Sequence, residues 1–262
     1  MRRRNDHLEL WNRASMIVIF LGFFLLLPVP DRSFAGPPYV TDDPETVDYR
    51  HWELYLASQA AHDKDGWAGT GPHVEVNYGV WPNVQLHLIA PMAFVLPQDG
   101  TGQYGYGDTE VGVKVRFIQE GDWRPMVGTF PLLELPSGNS HNGLGSGQVQ
   151  AFLPLWFQKS IGSWQTYGGG GYWINPGSGN KNYGFVGWQV QRAIIEHLTL
   201  GAEVFHTTPR VDQGDAETRF NVGLVWDITE TQHFLLSAGR GIQGSNTFQG
   251  YFAYLLTFGQ HK

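Results

Sequence analysis

A chain of 262 residues with 24 acidic and 17 basic side chains, a formal charge of −7 and no cysteine carries no electrostatic footprint for nucleic acid and no disulfide framework. Only 42% of its residues are hydrophobic, yet it holds 34 glycines, 16 phenylalanines, 11 tyrosines and 10 tryptophans. That balance suits a sheet that is greasy on one face and excludes a bundle of membrane helices, each of which needs about 20 consecutive apolar residues.

The first element is a targeting segment. Arg2, Arg3, Arg4 and Arg13 precede an uncharged run from Ala14 to Pro30, and Ser33-Phe34-Ala35 supplies small residues for a signal peptidase. A basic start, a short apolar core and a small-residue site predict a cleaved signal peptide over 1–35. An uncleaved anchor fits less well, because the apolar core is short for a bilayer. Removing the three acidic and five basic residues of that segment leaves 21 acidic against 12 basic in the remainder. Residues 36–45 are expected to form a periplasmic N-terminal segment, and 46–262 to form the folded domain.

From Thr46 onward the sequence divides into twelve extended segments, near 46–60, 67–79, 83–97, 105–119, 122–136, 146–159, 162–175, 182–195, 197–209, 216–229, 231–242 and 247–259. Most run well beyond the five or six residues usual in soluble sheets and suit tilted strands that cross a bilayer. The clearest alternate with period two. Val74, Val76 and Tyr78 oppose His73, Glu75 and Asn77. Val111, Val113, Val115 and Phe117 oppose Glu110, Gly112, Lys114 and Arg116. Phe220, Val222, Leu224 and Trp226 oppose Arg219, Asn221, Gly223 and Asp227, and the last segment gathers Phe252, Tyr254, Leu256 and Phe258 on one side. The fifth and eighth segments carry apolar residues on both faces, so their register is open.

The connections alternate as well. Val80–Asn83, Glu120–Asp122, Ser160–Gly162, Glu196-His197 and Thr229–Thr231 read as tight turns, whereas Ala61–Gly66, Gln98–Gly107, Ser137–Gly147, Pro176–Lys181 and Pro209–Asp215 read as longer polar or glycine-rich loops. Short turns at one end and long loops at the other are the pattern of outer-membrane barrels. The expected fold is therefore all-β: a transmembrane antiparallel β-barrel of about 12 strands in meander order, in the outer membrane of a Gram-negative bacterium. Trp52, Trp81, Trp123, Trp156, Trp164, Trp173 and Trp188 fall near strand ends, where amphipathic rings favour the headgroup level. A general preference of aromatics for strands explains any one of them equally well.

Charges are costly toward lipid, so alternation turns His73, Glu75, Glu110, Lys114, Arg116, Glu203, Arg219 and Asp227 inward as candidate lumen-lining residues. They either fill and stiffen a narrow barrel or line a solute path. No ring of one charge sign is visible in the sequence. Ser137, Ser140, His141 and Ser146 share one loop, but no nucleophile elbow or metalloprotease motif accompanies them, so no catalytic residue is assigned. Asp42, Asp43, Glu45 and Asp48 lack calcium-loop spacing, and no metal or cofactor is expected. Gly168–Gly171, flanked by Tyr167 and Tyr172, points to sheet curvature or close aromatic stacking rather than a phosphate cradle.

The mature start Gly36-Pro-Pro-Tyr-Val-Thr-Asp-Asp-Pro-Glu-Thr-Val47, followed by His51-Trp-Glu-Leu-Tyr55, resembles the opening of the MetA-pathway phenol-degradation family. The likeness continues through Gly107-Asp108 with Lys114, Phe130-Pro131 with Leu135-Pro-Ser-Gly138, Leu155–Lys159 and Gly162–Gly171. The resemblance implies a barrel in the outer membrane with a role in passage of hydrophobic or aromatic compounds, and assigns no residue roles. One departure is the carboxyl end, where Gly259-Gln-His-Lys262 follows the last aromatic, Phe258, which either displaces the signal that barrel insertion machinery reads or makes insertion less conventional. The expected function is a channel or transporter for small solutes, partnered by outer-membrane lipid and the insertion machinery. A non-conducting structural or adhesive barrel and an outer-membrane hydrolase are the alternatives.

Overall fold

The computed structural model describes residues 37–259, so the expected signal peptide over 1–35 lies outside the described residues. Fourteen strand segments follow in chain order: β1 His51–Asp63, β2 Gly66–Trp81, β3 Val84–Pro97, β4 Gln103–Tyr106, β5 Thr109–Ile118, β6 Met126–Thr129, β7 Leu132–Leu135, β8 Gln150–Ile161, β9 Trp164–Ile174, β10 Tyr183–Ile195, β11 Leu198–Thr207, β12 Glu217–Asp227, β13 Gln232–Gln243 and β14 Phe248–Gly259. β4 and β5 both pair with β3, and β6 and β7 both pair with β5 and β8, so each couple is one interrupted staves-width of wall. The result is a closed antiparallel barrel of twelve strands in meander order, sealed where β1 pairs β14 from His51↔Gly259 to His62↔Phe248.

Both interruptions have local causes. Pro131 has no N–H to give the ladder, yet its carbonyl still accepts Val113 N–H at 3.1 Å, which keeps β6 and β7 in line. At Gly107-Asp108 the chain bends inward, with Gly107 N–H held by the Pro91 carbonyl at 2.9 Å. The break at Pro131 accounts for the mixed apolar pattern of the fifth predicted segment. The tight turns at one end are confirmed at 82–83, 162–163, 196–197 and 228–231, but the stretch 119–125 is longer than expected. At the opposite end, 64–65 is a two-residue turn rather than a long loop, because β1 and β2 extend further than the polar sequence suggests.

Alternation sorts the two faces as elementary physics requires. Leu54, Leu56, Leu86, Leu88, Leu155, Val190, Leu200, Val222 and Leu236 stand exposed on the outside, a continuous apolar girdle suited to lipid. Trp52 stacks on Tyr78 at 4.2 Å near the tight-turn end. Trp156 and Trp173 depart from the headgroup expectation. They face inward and pack with Phe130, Phe152, Phe185 and Phe205 as an aromatic filling of one side of the lumen. The Gly168–Gly171 run makes that packing possible: a Cβ on Gly171 would lie 2.6 Å from the Phe152 ring, and one on Gly168 2.5 Å from Trp188 on the outer face.

Candidate functional site

The first predicted strand begins at His51 rather than near Thr46, because the preceding residues occupy the barrel interior. The stretch expected as a periplasmic segment, 36–45, runs inside the lumen from Pro37 onward. Thr41 and Asp43 are wholly buried there. The chain reaches β1 by a reversal in which Arg50 adopts φ 65° and donates its N–H to the Gly79 carbonyl at 2.7 Å. Glycine is required at 79, since a Cβ would fall 2.0 Å from the Asp48 carbonyl.

An isolated segment of ten or so residues carries backbone donors that must be satisfied once buried. The wall supplies the partners. Glu203 accepts the N–H groups of Val40 and Thr41 at 2.9 and 2.7 Å, and Asn221 donates to the same carboxylate. The Ser237 hydroxyl donates to the Pro38 carbonyl at 2.6 Å, and Gln85 accepts Val47 N–H at 2.9 Å. Lys114 pairs with Asp42 at 2.9 Å, reaches Asp43 at 3.8 Å, and lies over the Phe130 ring at 4.9 Å. Gln158 holds Glu45 at 3.0 Å. Burial pushes the Asp43 carboxyl well above the usual carboxylate range, opposed by Lys114. The Tyr39 hydroxyl is likewise raised by burial, eased by a hydrogen bond from Gln189.

Inward glycines shape the bed. A Cβ on Gly187 would meet the Thr41 hydroxyl at 2.2 Å, on Gly201 the Tyr39 hydroxyl at 2.5 Å, and on Gly128 the Pro44 Cβ at 2.9 Å. Much of the glycine content of β6 and β10–β12 thus gives room to the inner segment as well as curvature to the sheet.

The segment is tied to β3 and β5 through Gln85 and Lys114 as well as leaning on β6 and β8–β13, and space remains between it and the wall made by β14 and β1–β5. Three cavities follow one another there, of about 320, 540 and 350 Å³ from the tight-turn end to the loop end. The first and second share Pro37 and Glu75, and the second and third share His73 and Glu110. The loop 136–149 folds over the last of them, with Leu144 buried as its tip. Asp108 latches that loop by accepting Gly138 N–H, Ser146 N–H and the Ser146 hydroxyl. Ser137 donates to the Gly107 carbonyl. Two of the loop serines considered as nucleophiles therefore serve as fasteners.

All eight sequence-derived lumen candidates sit on inward-facing strand positions. His73, Glu75 and Glu110 line the cavities. Lys114 and Glu203 bind the inner segment. Arg116 donates to Asn83 at 2.9 Å near the tight-turn end, Arg219 bonds Gln249 at 3.1 Å and pairs with Glu217, and Asp227 bonds His233 at 2.7 Å. Sequence reasoning missed Gln85, His87 and Glu134. The first two were legible as alternate positions of β3. Glu134 was hidden by the broken register around Pro131.

Neither a protein-family model nor a curated protein matches the chain. Among solved structures it is similar to a COG4313 outer membrane channel from Pseudomonas putida F1, at 14% identity and a TM-score of 0.66 over 86% of this chain and 100% of that one. It is also similar to the NanC porin, at 9% identity and a TM-score of 0.52 over 79% and 100% of the two chains. The translocator domain of autotransporter NalP from Neisseria meningitidis stands at 9% and 0.52 over 79% and 88%. At such identities the likeness carries the fold, a closed barrel of the outer-membrane type.

Proposed function

We propose that this chain is a passive outer-membrane channel for small solutes, narrowed by its own residues 37–48 to a path along the β1–β5 wall. The observation that carries the reading is the run of three adjoining cavities with shared lining residues, which reaches from the tight-turn rim at His51, Trp52 and Glu230 to the loop 136–149. In this reading residues 1–35 direct export, the tight turns face the periplasm, the loops face outward and the apolar girdle meets lipid after assembly by the barrel insertion machinery. The resemblance to the phenol-degradation family supports solutes with an aromatic or apolar body, for which Phe94, Ile89 and Phe130 offer wall contacts.

The burial of Thr41 and Asp43 favours a second reading, a sealed barrel that serves structure or adhesion. Planar-bilayer recording and liposome swelling with the processed protein separate the two. Stepwise current and swelling support the channel. Silence in both assays, persisting after the Glu203 anchor is removed, overturns it.

A further inference from the structure

Carboxylates outnumber lysine and arginine among the residues that line the three cavities. Glu53 and Glu75 line the inner one, Glu75 and Glu110 the middle one, and Asp108, Glu110 and Glu134 the outer one. Lys114 touches the inner cavity but is held by Asp42 and Asp43. Among the described residues, no lysine or arginine lines the middle or outer cavity.

Two further observations single out the middle and outer cavities. Glu110 and Glu134 are direct cross-strand partners between β5 and β7, and both face the lumen. Like charges in that position oppose one another. Glu110 is bonded to His87 Nε2 at 2.8 Å, whereas among the described residues Glu134 has no cation within ion-pair distance. Arg210, stacked over Tyr183 at 5.0 Å, acts on it only from farther away. Tyr251 lines the middle cavity, and its hydroxyl is buried behind that wall without a hydrogen-bond partner. Facing carboxylates with no lysine or arginine beside them suit a positively charged occupant.

We infer that the middle and outer cavities select small cations, alkali ions and organic ammonium ions alike, with Glu110 and Glu134 sharing the positive charge. Anions of equal size are turned away at the same place. This deepens the channel reading, and it rests on that reading only for what happens beyond the middle cavity.

The absence of native cysteine allows a clean test. Ala68 lines both cavities, so Ala68→Cys is a single reporter. Its modification from outside by a trimethylammonium-ethyl methanethiosulfonate is compared with that by the sulfonato-ethyl reagent. Each rate is divided by the rate at Asp65→Cys, in the exposed β1–β2 turn. The expected normalised ratio favours the cation by at least about tenfold, and it falls toward one in the Glu110→Gln/Glu134→Gln background. If that double variant fails to fold, added salt applied to Ala68→Cys alone replaces it, and the preference should shrink as screening rises. A ratio of one, a ratio indifferent to both manipulations, or a reporter closed to both reagents overturns the inference. Channel recording distinguishes the two readings: current with a ratio of one keeps the channel and removes the selectivity, and selective labelling without current does the reverse.

Discussion

The carboxylate of Glu203, midway along β11, accepts the backbone N–H of Thr41 at 2.7 Å across 162 residues of chain. Its other oxygen takes Val40 N–H, so one side chain satisfies two successive buried donors. Charge-assisted hydrogen bonds of this kind are among the stronger polar contacts.

Glu203→Ala should release the inner segment. Leaving a buried donor unsatisfied costs about 1–3 kcal/mol, which exceeds what a short segment can recover locally. Single-channel recordings should show larger or more frequent openings than the parent, and residues 37–48 should become sensitive to protease. Unchanged current together with unchanged protection would mean that the segment is held chiefly elsewhere.

Gly201→Val probes the same docking from the steric side. Valine suits a strand, but its Cβ would meet the Tyr39 hydroxyl at 2.5 Å. The barrel should still form, as judged by heat-modifiable electrophoretic mobility, while conductance rises as in Glu203→Ala. A folded barrel with parental conductance would show that the bed yields without expelling Tyr39.

Asp108→Ala should free the loop 136–149. Three donors from Gly138 and Ser146 lose their acceptor, and Leu144 loses its fixed seat over the outer cavity. Hydrogen exchange at the amides of Gly138 and Ser146 should quicken at least about tenfold, the factor that 1.4 kcal/mol represents. Parental exchange rates would place the latch on Ser137 instead.

Leu224→Arg tests the lipid face. Leu224 pairs with Leu200 and Leu236 on the outer surface, and a charge there should cost about 2–4 kcal/mol if the position lies near the bilayer midplane. Urea unfolding in lipid vesicles reads this directly. A loss below about 1 kcal/mol would move β12 toward an interface.

Gly171→Ala addresses the aromatic filling. Its new methyl would sit 2.6 Å from the Phe152 ring and 2.8 Å from the Leu153 carbonyl, and overpacking of this kind costs about 1–3 kcal/mol. The same vesicle assay should register the loss, and near-ultraviolet circular dichroism should report a changed environment for Trp156 and Trp173. Parental stability and spectrum would argue that the β9 glycines serve curvature alone.

For the strands with clean alternation, the inner and outer faces were legible from the chain alone. Strand geometry has a period of two, so the valines of β5 and Phe220, Val222, Leu224 and Trp226 of β12 declare an outer face, and His73, Glu75, Lys114 and Glu203 an inner one, without knowledge of any neighbour. It also set the strand number, because turn-forming residues interrupt the alternation at regular intervals. What lay beyond its reach were relations across the lumen. Residues 37–48 have no alternation of their own; their donors are satisfied by Gln85 and Glu203 and the Pro38 carbonyl by Ser237, which local pattern cannot connect to them. The pairing of Glu110 with Glu134 depends on a register that Pro131 interrupts, and the concentration of carboxylates along one wall emerges only when β1–β7 are curled together. Closing the sheet decided these matters, since closure brings residues far apart in sequence to the same small volume, where burial and charge make their arrangement consequential.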